Sequence, residues 1–223
     1  MARTVKRRYD VSERRRRAAA TGERILDSAL ALFSERGYAR TTVASVAHAA
    51  GVDPDTVFER FGSKPKLLEA VLLRGERAGG APPDDGVEAN TADELIAAAV
   101  RGHLVIAKRL ARVVAAMREG AAGRPELRAL FRAGEARRLA SAARWVAALD
   151  RMGALRRDLS RDHAAEVLWL VRSPETYHRL VVERRWSQER YRAWLGGTLR
   201  AVLVDKTLTR PRRAPRATRP RPA

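Results

Sequence analysis

The chain contains no cysteine. That excludes a disulfide scaffold, a thiol nucleophile and a cysteine-ligated zinc site, and it fits a reducing compartment. Aromatic residues make up only 5% of the sequence while Ala and Leu are plentiful, which favours helices packed on helices. No apolar run approaches the roughly 20 residues that a membrane helix needs. The N-terminus is basic but is followed by no apolar segment of signal-peptide type, so we expect a cytoplasmic protein with no membrane partner. The four histidines (His48, His103, His163, His178) show no ligand spacing, and we expect neither a metal nor a cofactor.

What is present is Ala, Leu and Arg in quantity. The 223 residues are 45% hydrophobic, enough for a packed core. The apolar positions recur at helical spacing, and no stretch alternates with period two. The fold class is therefore all-α, with helices packed on helices.

Net charge is +19, unevenly placed. Residues 1–20 carry eight Lys/Arg and two acids, and residues 206–223 carry seven Lys/Arg and no acid. Both ends read as low-complexity, disordered basic segments. Such tails can simply solvate the protein. They also attract phosphates without regard to sequence. Between them we place one domain at 21–78, a loop at 79–91 and a second domain at 92–205. The loop reading rests on GGAPPDDGVEANT, the one Gly/Pro/Asp-rich break in the middle of the chain.

The first domain is punctuated by capping residues. ERILDSALALFSERGY reads as a helix with Ile25, Leu26, Ala29, Leu32 and Phe33 on one face, Thr21 as its N-cap and Gly37 after its end. Thr41 or Thr42 caps a second helix ending near Ala50. Asp53 caps a third, with Pro54 in the tolerated first position and Asp55 in the first turn. Ser63 caps a fourth. In VASVAHAAGVDPDTVFERF (43–61), Ala47, Gly51 and Val57 supply the small residue, the turn residue and the apolar lock of a helix-turn-helix. The second helix of that pair would present Asp55, Thr56, Glu59 and Arg60 outward, towards a major groove. An ordinary helical corner has the same spacing, so the charge is needed to favour DNA.

The residues also carry a resemblance. The stretch from Ile25 to Leu72 resembles the DNA-binding domain of TetR-family transcriptional regulators. Its markers are Phe33, Gly37, the Thr41–Thr42 pair, Ala47, Ala50-Gly51-Val52, Thr56, Phe58, Phe61 and Ser63-Lys64 before Leu67-Leu68. The segment Leu168–Leu199 is similar to an actinobacterial subset of that family.

The resemblance implies a three-helix reader followed by a helical effector-binding and dimerisation domain, in a homodimer of some nine helices per subunit. It implies phosphate contacts from Thr42 and Lys64, a groove contact from Thr56 and a base or phosphate contact from Arg60, with Thr41 and Ser63 in the same motif. Phe58 stands where the family often has Tyr, and Glu59 and the two aspartates are unusual on a face that approaches phosphates. The basic arm around Arg14–Arg17 would compensate.

The middle helices would enclose a pocket for an unidentified small molecule, for which His103, Met117, Trp145, Trp169 and Tyr177 are candidates, with His178 beside them. A lone His or Trp at helical spacing is more often a core residue than a ligand contact. The last two helices would form a dimer interface through Leu168, Val171, Tyr191, Trp194, Leu195, Thr198, Leu199 and Val202. Gly196-Gly197 permits close approach, and two-fold symmetry multiplies the bases read.

The expected activity is a sequence-specific regulator, most often a repressor, released from a palindromic double-stranded DNA operator by an effector. The alternatives are a non-specific architectural DNA-binding protein driven by its tails and an all-α enzyme without a motif. The chain has no nucleophile elbow, phosphate loop, paired carboxylates or HExxH.

Overall fold

The computed structural model describes residues 3–80, 89–121 and 123–205, with side chains from Ser12 onward. Its helices are α1 Arg3–Arg40, α2 Val43–Ala50, α3 Pro54–Phe61, α4 Lys64–Arg77, α5 Ala92–Gly120, α6 Pro125–Arg151, α7 Arg161–Val171, α8 Pro174–Tyr177 and α9 Gln188–Leu203. The tail 206–223 lies outside the described residues. Among those described, the extended pairing is a single antiparallel bridge between Leu155 and Val204. No described helix is long and apolar enough to cross a membrane.

The capping residues work as their chemistry requires. The Thr42 hydroxyl accepts the Ser45 N–H at 3.0 Å, and Ser45 Oγ accepts the Thr42 N–H at 3.1 Å, a reciprocal capping box. Asp53 Oδ1 accepts the Asp55 N–H at 2.8 Å, with Pro54 opening α3. Ser63, Ser160 and Ser187 cap α4, α7 and α9. Thr91 caps α5 from beyond the central loop.

Three sequence expectations change. The N-terminal segment is helical from Arg3, where a disordered arm was expected, and Thr21 is not a cap. Ala18–Ala20 and the arginines are strong helix formers, and extension from a packed helix avoids the cost of nucleation. Glu13 adds ion pairs to Arg16 (2.5 Å) and Arg17 (3.2 Å). The helical geometry breaks at Gly37 (φ 74°), where the chain was expected to leave the helix.

The second change is at the domain boundary. α4 ends at Arg77 and α5 begins at Ala92, but packing does not divide between them. Leu110, Val113, Val114 and Met117 from the distal half of α5, with Leu127 of α6, sit in the same core as Ile25, Phe33, Val46, Val57 and Leu67. The proximal half of α5 belongs to a separate core with Trp145, Leu168, Tyr191, Leu195 and Leu199. One 29-residue helix thus serves both halves.

The third is an element that the periodicity did not reveal. α8 continues into a π-helical turn, His178–Glu183, where the Arg184 N–H reaches back five residues to the Arg179 carbonyl at 3.0 Å.

Candidate nucleic-acid interface and ligand cavity

The corner between α2 and α3 turns on Gly51, at φ 64° and ψ 43°, a left-handed conformation that glycine adopts without strain. Its N–H donates to the His48 carbonyl at 3.1 Å, and the Val52 N–H donates to the Ala47 carbonyl at 3.0 Å, so the last turn of α2 is closed. Ala47 and Val46 are sealed from solvent, and Val57 on α3 is 1% exposed. These contacts lock α3 by one face and leave the other free.

The free face carries Asp55, Phe58, Glu59 and Arg60, all exposed, with Thr56 half-buried. Phe58 is 48% exposed, a large apolar ring in water on a short helix. Thr42 is exposed at the N-terminus of α2, where unpaired backbone N–H groups favour an anion. At the N-terminus of α4, Ser63 is half-buried, and the Lys64 ammonium stands 4.2 Å from the centroid of the Tyr38 ring. Burial, and then the charge of Arg124, pull Lys64 below the ordinary lysine value. Tyr38 was missed in the sequence; its place directly after Gly37 was the signal.

Two candidates stand elsewhere than expected. Thr41 is fully buried, and its hydroxyl donates to the Leu32 carbonyl (3.1 Å) and the Gly37 carbonyl (2.8 Å). It ties α1 to the α2 entry and cannot meet a phosphate. The Arg60 guanidinium lies over Gly22 of α1, so closely that a β-carbon there would overlap it. Asp53, Asp55 and Glu59 outnumber Arg60 on the α3 segment, and the positive charge near it lies on Lys64, Lys66 and α1.

Above this layer lies a cavity of about 650 Å³, between the end of α4, the middle of α5, α6 and α7. Of the residues expected to form a pocket, His103, Met117, Trp145 and Trp169 line it. Tyr177 does not. It is buried against Tyr191, edge to face at 5.1 Å. His178 pairs instead with Glu183 at 3.1 Å. His103 is a satisfied core histidine, its Nε2 2.9 Å from the Tyr191 hydroxyl. Burial, then Arg172 and Arg138, hold its pKa well below the usual histidine value, so it is neutral.

Several lining residues were not anticipated. Leu72, Glu76 and Arg77 come from α4, whose other end carries Lys64. Arg137 grips Glu76 with two bonds of 2.9 and 3.0 Å, linking α6 to α4. Arg74 holds α4 to α1 through Glu23 (2.8 Å) and Asp27 (2.5 Å). At Gly79 and Gly102 the end of α4 and α5 approach so closely that a β-carbon on Gly102 would overlap the Gly79 carbonyl. α4 is thereby clamped between the reader and the cavity wall.

The expected dimer residues divide. Leu168, Tyr191, Leu195 and Leu199 are buried in the chain's own core, each 2% exposed or less. Val171, Trp194, Thr198 and Val202 remain half-buried. The amphipathic face read from α9 is real, but it points inward, where α5 and α7 cover it.

Residues 25–71 match the family model described as bacterial regulatory proteins, tetR family. The uncharacterized HTH-type transcriptional regulator YvkB of Bacillus subtilis is 42% identical over 52 residues, which is 23% of this chain. The chain spans 28% of that relative's length. In fold, the SmeT–triclosan complex matches with a TM-score of 0.68 at 24% identity, over 92% of this chain and 99% of that one. SmeT is the repressor of a Stenotrophomonas maltophilia multidrug efflux pump. A Saccharomonospora viridis protein described as a transcriptional regulator, in complex with choline, matches with a TM-score of 0.64 at 20% identity, over 84% of this chain and 100% of that one.

Proposed function

We propose that this chain, which carries a TetR-family DNA-binding domain at residues 25–71, is a sequence-specific transcriptional regulator that acts as a cytoplasmic homodimer, and most simply a repressor released by a small molecule. The observation that carries the proposal is the locked corner at Gly51. It fixes α3 by Val57 and leaves Thr56, Phe58 and Glu59 facing outward, as a major-groove reader requires. Thr42 and Lys64 flank that helix and set its register on phosphates.

The cavity is the effector site in this reading. A volume of about 650 Å³ suits a drug-sized molecule. α4 supplies part of its wall and also carries Lys64, so a ligand that favours one placement of α4 shifts the reader with it. The triclosan and choline complexes of similar folds support a ligand-responsive second half.

A dimer through α7 and α9 uses what their inward faces leave over: Val171, Trp194, Thr198 and Val202, with Leu170, which is 60% exposed. A β-carbon added at Gly196 or Gly197 would meet nothing within 4 Å, so that surface is open to a second backbone. Two readers would engage half-sites one turn apart, about 34 Å, or a multiple of it.

The test is selection of bound sequences from random DNA by the full chain at physiological salt. A two-fold symmetric motif is the expected result. Binding without any motif would refute the regulator and support an architectural role for the basic ends. Turnover of a small molecule without DNA selectivity would support an enzyme.

A further inference from the structure

The cavity wall treats its charges unequally. Glu76 is held by Arg137 through two bonds, and Glu135 accepts from Arg138 at 2.5 Å. Arg138 also donates to the Trp169 carbonyl at 2.7 Å. These acids are spent on their own arginines. Arg172, the residue after α7, has no such partner. The side chain is half-buried, and its Nε touches neither solvent nor an acceptor. No acid among the described residues lies within ion-pair distance of it. One side of it faces the Trp145 ring, with the guanidinium carbon 5.5 Å from the ring centroid.

A second unpaired donor lies on the same cavity wall. The Trp169 indole N–H is buried without an acceptor, and among the described residues these two atoms are the buried side-chain donors left unpaired. Both residues line the same cavity. An unpaired charge drawn partly out of water is costly to keep, and the cost is removed either by neutralisation or by a counter-charge. Neutralisation is out of reach. Burial pulls Arg172 down to about 10, which leaves it charged at neutral pH. His103 nearby is neutral and already bonded to Tyr191, so it offers no negative charge. A water molecule could accept from either donor, but it brings no charge.

We propose that the cavity takes an organic anion, an apolar body bearing a carboxylate or a group of like charge, which pairs with Arg172 and accepts from the Trp169 indole. The inference rests on the effector reading of the cavity and names its ligand class. The rest of the wall agrees. Leu110, Val114, Phe131 and Trp145 supply an apolar surface for the body of the ligand. Arg77 and Arg144, both exposed, add positive charge to the same lining. A cation would meet five arginines against two glutamates that are already paired.

The experiment is equilibrium dialysis of the full chain against matched sets of probes. These are straight-chain and ω-phenyl carboxylic acids of six to twelve carbons, their primary amides and their primary amines. At least one acid should bind about tenfold or more tightly than its amide, since hydrogen bonds to charged groups are the stronger kind, with the amine weakest. Arg172→Met keeps the apolar stem and removes the charge. In it, acid affinity should fall to that of the amide while amide affinity holds, which also shows that the cavity still exists. Arg172→Lys should keep acid above amide. Acids and amides bound alike across the whole panel would overturn the proposal, as would an acid preference that survives Arg172→Met. DNA selectivity, measured on the same protein without probe, reports separately on the regulator. Its loss would sink that reading and leave the acid preference untouched.

Discussion

The reader and the cavity are built from the same kind of helix but handle polar groups in opposite ways. Around α2 and α3, polar side chains are spent on backbone. Thr42, Asp53 and Ser63 cap helices, and the buried Thr41 donates to two carbonyls. The outward-facing groups that remain on α3 are mostly exposed, and water satisfies them in the free protein. Around the cavity, Trp169 and Arg172 keep buried donors unpaired. A surface for a long polymer can be finished in the free protein because solvent serves as a stand-in. A cavity wall holds some of its donors away from that solvent, so the donors it leaves unpaired describe what it binds.

Packing should show the largest contrast. Phe33 is 1% exposed in the reader core, and Phe33→Ala should cost about 3–5 kcal/mol in denaturant unfolding. Phe131 already faces the cavity, and Phe131→Ala should cost less than half as much. Equal costs would mean that Phe131 is packed as tightly as Phe33, although it borders the cavity.

Charge at the reader comes next. Deleting residues 1–18 should weaken DNA binding by about tenfold or more. If Arg14–Arg17 each neutralise a phosphate, it should also flatten the dependence of log affinity on log salt by about 3–4 units. Unchanged affinity would assign the helical arm to solubility alone.

On the cavity side, His103 makes stability depend on pH. Its folded pKa lies below the unfolded value of about 6.5, so below that pH the unfolded chain binds the extra proton. Stability should be complete above about pH 6.5 and fall on acidification, with a slope approaching about 1.4 kcal/mol per pH unit for this one group. His103→Gln should remove that component. Urea titrations at pH 5, 6 and 7 that stay parallel for both proteins would show that His103 is not held neutral.

The smallest effects separate two adjacent threonines. Thr41→Val should cost about 1 kcal/mol of stability through its lost hydroxyl bonds and leave DNA affinity nearly intact. Thr42→Ala should cost about 1 kcal/mol as a lost cap and weaken DNA binding as well. A DNA defect from Thr41→Val larger than that from Thr42→Ala would reverse their assignment.

Much of this could be read in advance, and the misses have a pattern. The caps at Asp53 and Ser63, the one at Thr41 or Thr42, the glycine turn at Gly51 and the paired helices around it were legible because each depends on residues within about four positions. Four of the five expected cavity residues line one space for the same reason: they fall on the inner stripe of long helices. Arg172 was passed over because an arginine ending an apolar stretch looks like a helix terminus reaching for water. Thr41 and Thr42 were indistinguishable by type. Only the fold of α1 over the α2 entry buries one and exposes the other.

Local choices of backbone geometry and capping make the chain helical, start helices after Thr42, Asp53 and Ser63, and put the tight corner at Gly51. Tertiary structure alone decided which way the stripes point. Tyr191, Leu195 and Leu199 form a face that suits a partner subunit and an intrachain core equally well, and the arrival of α5 and α7 settled it. The cavity likewise belongs to no one segment. It exists because α4, α5, α6 and α7 meet without filling the space between them, with an unpaired charge on its wall.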